Sequence, residues 1–190
     1  MISPSMTDPP SRSVSAPGEI EVRIRELAQL FNSLDPSPFH ERDLDRDAEE
    51  HIVGWAREIP VHVPLTLIVS LPEKEARMAA EQGLETALSN YFGQRAVASE
   101  RDLRELFRNG WRYLSIGVPL LVVCLVASQI VHTAMGGGPF AAVLEESLII
   151  VGWVANWKPL ETFLYDWWPI KRRRDLYRRL QAARVVIETV

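Results

Sequence analysis

Residues 113–131 read YLSIGVPLLVVCLVASQIV, nineteen positions without a charge. About 20 apolar residues in an α-helix cross the hydrocarbon core of a bilayer, so this stretch is long enough to be a transmembrane helix. Arg101, Arg104, Arg108 and Arg112 stand just before it. A second apolar stretch follows and is closed by Lys171, Arg172, Arg173 and Arg174, with Arg178 and Arg179 close behind. Between Tyr113 and Trp157 there is no Lys or Arg. Cytoplasmic flanks of membrane helices are enriched in these residues. The pattern predicts a two-helix hairpin in a cytoplasmic (inner) membrane, with both termini cytoplasmic and residues 132–140 as an external loop turning at Gly136-Gly137-Gly138-Pro139. The basic residues are 18 Arg and 3 Lys, a usage that fits a GC-rich bacterial genome.

The second span, placed within 141–179, is less clean. Its uncharged part, Ser147–Trp157, reaches only about 16 Å as a helix, so it has to extend at one or both ends. Glu145 and Glu146 are expected at the outer surface, near His132. Asn156, Lys158 and Glu161 are expected toward the inner leaflet. Trp153, Trp157, Trp167 and Trp168 suit the headgroup zone, where indole rings concentrate, and Pro119 and Pro159 are candidate kinks.

The chain as a whole is unremarkable in average: 47% hydrophobic, net charge −4 and mean hydropathy −0.04. That average joins two populations. Asp35–Glu58 alone holds eight acids and three arginines. The acidic balance and the lack of a binding motif argue against nucleic acid as a partner. Cys124, the single cysteine, lies inside the first apolar run and reads as a small packing residue. Residues 1–18 hold four Pro and five Ser without an apolar run; no cleavable leader is expected there, and the composition suits a disordered tail.

Outside the hairpin the elements are short. Ile20, Val22 and Ile24 alternate with charges, as in a half-buried strand. Ser37-Pro38 is a plausible helix start, and Leu44, Ala48, Ile52, Trp55 and Ile59 then mark one helical face before Pro60. Pro64-LTLIVSL-Pro72 predicts a strand. Residues 73–92 predict a second amphipathic helix with a stripe at Ala76, Ala80, Leu84, Ala87, Leu88 and Tyr91 and a stop at Gly93. Ser99 to Asp102 resembles a capping box opening a helix that runs over 99–131 into the first span. Ala183–Val190 reads as a strand, and a lone strand needs a sheet. The expected fold is therefore an α+β membrane protein. A small cytoplasmic α/β domain over 19–98 and 180–190, like a truncated or split ferredoxin-like layer, receives the membrane hairpin as an insertion, and the last strand returns to its sheet.

Candidate sites are few. Lys158 and Glu161 can pair at i, i+3, and with Glu145, Glu146 and His132 they form the polar set of the hairpin. Ionisable groups at membrane depth suggest function, whereas groups near the interface snorkel to water. Arg104, Arg108, Arg112, Lys171, Arg172, Arg173, Arg174, Arg178 and Arg179 set topology and can meet anionic lipid headgroups. Asp43, Asp47 and His51 repeat at i, i+4, i+8 and form a weak metal candidate beside the simpler reading, a solvated helix face. The phosphate-loop, dinucleotide, zinc-peptidase, redox-dithiol and nucleophile-elbow sequences are missing, and no cofactor is implied. The composition points to a membrane-anchored scaffold or accessory subunit, self-associating or docked on another membrane protein. The alternative is a subunit of an oligomeric channel or transporter using Lys158, Glu161, Glu145 and Glu146.

Overall fold

The computed structural model describes residues 18–190; the tail expected over 1–18 lies, apart from Gly18, outside them. The described chain is mostly helical, with one small parallel sheet and two long apolar helical runs. It divides into two compact units, one holding residues up to Gln94 together with Leu176–Val190, the other Arg95–Asp175.

In the first unit the strands β1 (Glu19–Arg23), β2 (Thr66–Leu71) and β3 (Arg184–Thr189) lie in that spatial order, parallel throughout. Ile20 is opposite Leu67 and Leu67 opposite Val185; Val22, Val69 and Ile187 form the next row. Alternating β-branched residues put these rows on one apolar face. The ferredoxin-like expectation does not describe this sheet. That layer contains a β–β connection, whereas every pair here is parallel and needs a crossover.

The first crossover carries helix α1 (Arg46–Glu58). It starts later than Ser37: Pro38 opens only a three-residue 3₁₀ turn, Phe39–Glu41. The true cap is Asp45, whose carboxylate accepts the N–H of Asp47 at 2.9 Å, satisfying a free donor of the first turn. The buried line is Ile52, Val53 and Ala56, so Trp55 is turned toward solvent. Beside this line Glu49 accepts the phenol hydroxyls of Tyr91 and Tyr177, each at 2.9 Å. Leu27–Leu30, whose phase is ambiguous in sequence, is a 3₁₀ turn that buries both leucines.

Helix α2 (Glu73–Glu81) ends at Gly83, whose φ of +73° a side chain would resist. Ala79, not Ala80, is buried. Helix α3 then runs unbroken from Leu84 to Met135, 52 residues and about 78 Å. Gly93 is therefore not a stop: it lies inside α3, where a Cβ would stand 2.9 Å from the Gln181 amide. Nor is Ser99 a cap; it is buried and its hydroxyl donates to the carbonyl of Arg95, one turn back. Pro119 is accommodated within the helix.

The second helical run returns through α4 (Pro139–Ala155), α5 (Trp157–Glu161), a π turn (Thr162–Asp166) and α6 (Trp167–Gln181). In the first unit, Phe92 stacks on Tyr177 at 6.3 Å and Ser89 donates to the Gln181 carbonyl. Arg179 reaches the carbonyls of Ile59, Pro60 and Val63 at 3.4, 2.9 and 3.2 Å. It is a clasp on the loop after α1.

Arg179→Ala is expected to destabilise the protein by about 1–3 kcal/mol, because charge-assisted bonds to part-buried carbonyls are lost; a denaturation series checks this, with Arg179→Lys intermediate. A second expectation concerns acid. The N–H groups of Asp43 and Ser37 and the Ser37 hydroxyl hold the Asp35 carboxyl below its usual value of 3.8. A depressed folded pKa stabilises above the unfolded value, and the contribution is lost as pH falls through the lowered one. The 35–43 segment should therefore loosen on acidification below about 3.8, seen as faster amide exchange at Asp43 relative to neighbouring loops; Asp35→Asn should remove the pH dependence.

Candidate functional site

The polar residues of the second unit are arranged by a repeat of small side chains. On α3 the covered positions run Gly110, Leu114, Gly117, Leu121, Cys124 and Ser128, in steps of four and three. On the returning run they are Ala141, Glu145, Leu148, Gly152, Ala155, Pro159 and Thr162, in the same alternation. A 3.5-residue period keeps one seam facing a partner helix, and small residues let membrane helices approach closely. A Cβ on Gly152 would lie 2.8 Å from Leu121 Cδ1 and 3.2 Å from Cys124 Cβ; one on Gly110 would lie 3.0 Å from Thr162 Cγ2. Cys124 is buried in this seam as a packing residue.

Three polar stations sit in or beside the seam. At the turn, where Gly136 and Gly137 adopt φ of +63° and +78°, His132 Nδ1 is 3.2 Å from Glu145 Oε2. Glu146 is exposed. At the second station Asn156 is buried, and its Nδ2 donates to the carbonyls of Gly117 and Gly152 at 2.9 and 3.0 Å. The helix breaks here because Pro159 has no N–H for the carbonyl of Ala155, four residues back. At the third, Lys158 Nζ lies 3.1 Å from Glu161 and 3.3 Å from Asp166, and Thr162 donates to Asp166 at 3.4 Å. Lys158 and Glu161 are thus joined as expected, and Asp166 completes a triad.

These stations set the two apolar runs against the length that crossing a bilayer requires. Gly117 meets Asn156 and Gly110 meets Thr162, so Arg112 lies between the levels of the second and third stations. Arg112 to His132 covers about 30 Å along α3, the thickness of a bilayer core. Glu145 to Glu161 covers about 24 Å, and the lysyl stem of Lys158 can extend along apolar surface to reach water.

Around the seam the helices turn apolar side chains outward. Only 17% of the most apolar window of each long run, Leu84–Met135 and Pro139–Gln181, is buried. A core helix of a soluble protein would have most of that window covered. Both runs are long and apolar enough to cross a membrane, and their exposed faces carry Ile116, Val123, Ile130, Val151 and Val154. Trp153, Trp157 and Trp168 are exposed. Trp167 is half-buried, donates to the Phe163 carbonyl, and lies under Lys171 at 5.3 Å. Trp111, which the sequence reading passed over, is 65% exposed and meets Phe163 edge-on.

Arg172, Arg173 and Arg178 are exposed, as is Arg112. Arg104 and Arg108 approach Glu100 and Glu105 on their own helix at 4.0 and 3.8 Å, and Arg174 pairs with Asp175 at 2.8 Å. The metal candidate is not assembled: Asp43 precedes α1 in an irregular segment, and Asp47 and His51 alone share the helix. Among the described residues no three His, Cys, Asp or Glu side chains come together to hold an ion. Thr162 and Asp166 escaped the sequence reading, which placed Asn156 only by its expected depth and not as an interhelical contact. The seven-residue recurrence of Gly110, Gly117 and Cys124 was the signal that could have found the seam.

No protein-family model, curated protein or solved structure matches this chain.

Gly152→Leu should overpack the seam and cost about 1–3 kcal/mol, while Asn156→Leu should cost about 1 kcal/mol through the lost interhelical bond. Thermal midpoints of the detergent-purified protein check both, with the exposed Val151→Leu as a neutral reference.

Proposed function

We propose that this chain is a membrane-anchored scaffold or accessory subunit. A cytoplasmic α/β domain is fastened to a bacterial inner membrane by the two-helix hairpin, and it acts through its surfaces and through self-association. The carrying observation is that the hairpin turns an apolar perimeter outward while its polar groups, buried at Asn156 and exposed at Lys158 and His132, are matched with one another. Lys158 is held by Glu161 and Asp166, Asn156 by two carbonyls, and His132 by Glu145. Groups engaged in this way support an anchor better than a pore lining. The parallel pairing of β2 with β3 adds a second support: strands from before and after the hairpin share one sheet, which favours both ends of the hairpin on one side. The exposed arginines flanking it favour the cytoplasmic side and contact with anionic headgroups.

The test is single-cysteine labelling on a Cys124→Ala background. Gly138 has an ordinary φ of −66° and open space around it. Gly138→Cys should react with a membrane-impermeant maleimide in intact spheroplasts, and Arg57→Cys only after lysis. The reverse pattern would overturn the orientation, and equal labelling of both would overturn the membrane crossing. Liposomes carrying the protein should hold an ion gradient; a leak altered by Lys158→Ala would replace the scaffold reading with a pore.

A further inference from the structure

The third strand is an edge with its apolar face incompletely covered. In β1 and β2 the core face is buried at Ile20, Val22, Leu67 and Val69, but Val185 and Ile187, which continue the same rows, are only half-buried. Among the described residues nothing pairs with the outer side of β3. Its backbone is turned for pairing in a definite phase. The N–H of Arg184 bonds to the Leu65 carbonyl and that of Val190 to the Leu71 carbonyl, so even-numbered residues face β2. In a parallel ladder alternate residues point their backbone groups to opposite sides, so Val185, Ile187 and Thr189 present theirs at the free edge. Such an edge is a template for another strand.

We propose that the occupant is β3 of a second copy, paired antiparallel about a two-fold axis at Val186 to give one six-stranded sheet. The strand Arg184-Val185-Val186-Ile187-Glu188 is self-complementary in charge about its centre. In this register Arg184 of each copy is opposite Glu188 of the other. Among the described residues neither side chain has an ion-pair partner, and both are exposed. Val185 is opposite Ile187, which extends the apolar face across the junction. The backbone phase agrees: Val185 and Ile187, both turned outward, form the hydrogen-bonded pairs. Arg184–Glu188 and Val186–Val186 are then the non-bonded pairs, whose side chains stand closer. Moving the two-fold axis by one residue in either direction puts each charge opposite a valine or beyond the strand. A two-fold interface uses the same patch twice, which is the self-complementarity this strand has. The inference rests on the scaffold reading and names its self-association surface.

The test uses the full chain in native membranes. On the Cys124→Ala background, Val186→Cys should form an intermolecular disulfide on mild oxidation, since the two Cα atoms would be about 4.5 Å apart and within disulfide range. Arg184→Cys, which lies opposite residue 188, should not. Glu188→Arg should weaken self-association by about tenfold or more, because like charges then face each other across the strands. Arg184→Glu together with Glu188→Arg should restore it, and so should co-expression of the two single variants. Recovery of pairing shows that the loss came from charge and not from misfolding. No cross-link at 186, equal cross-linking at 184, or no recovery on swapping would each overturn the proposal. A discrete oligomer without the 186 cross-link would place the contact elsewhere and leave the scaffold reading standing, whereas failure of the loop-labelling pattern would remove that reading whatever β3 does.

Discussion

The pairing of β2 with β3 is the constraint on which the rest of the chain depends. It is parallel, so the strands can be joined only by a crossover, and here the crossover holds α2, α3 and the whole returning helical run. A hairpin placed in such a connection has to bring the chain back to where it left. The fastenings at its base serve that return: Phe92 on Tyr177, Ser89 on Gln181, and Glu49 between two tyrosines. The three-stranded sheet is small, and without its third strand it would be a two-stranded ribbon, which is marginal in water.

The second unit solves a different problem. Its fully buried residues are glycine, alanine, serine, threonine, cysteine, proline and an asparagine, whereas large apolar side chains are only half-buried, as at Leu114, Leu121 and Leu148, or stand outside. A soluble core has the opposite arrangement, with large apolar groups inside. In a bilayer, lipid is as apolar as leucine, so helix contact relies on close packing and interhelical hydrogen bonds. The seam supplies both, at Gly152 against Leu121 and Cys124 and at Asn156 on the Gly117 carbonyl.

Much of this was legible in the residues, for reasons that differ by element. The first two strands declared themselves because alternating apolar and β-branched residues, in β2 bounded by prolines, suit little else; Ile20, Val22, Leu67 and Val69 all lie where the alternation put them. The nineteen uncharged positions of α3 needed only counting. Helix boundaries were harder. Gly83 and Gly93 look alike on paper, and only Gly83 takes the left-handed turn; Gly93 stays helical among well-packed neighbours, where an interior glycine costs about 1 kcal/mol. Ser99 has the surroundings of a cap, yet its hydroxyl bonds backward into a helix already formed. The stripe that favoured Trp55 ignored Glu49, a charged residue drawn inward by two phenols. The seam was missed because small residues carry little hydropathy, so a pattern of glycines stays invisible to a reading weighted by apolar bulk. Asp166 was missed because it lies eight positions from Lys158, beyond the i, i+4 reach of an ordinary helix.

The place of β3 after the hairpin has a consequence for biosynthesis. Strands β1 and β2 are made first, and domains begin to fold from the N-terminus during synthesis. The sheet then waits, two-stranded, while the hairpin is made. For a chain whose hairpin crosses a bilayer, β3 can join only if both helices have crossed. A chain that inserted one helix and not the other would leave its last strand stranded across the membrane, with β2 unpaired on one edge. In such a chain, completion of the sheet would report on insertion of the hairpin. Quality control that recognises an open sheet edge on one side of a membrane would, in this protein, be inspecting an event that took place inside it.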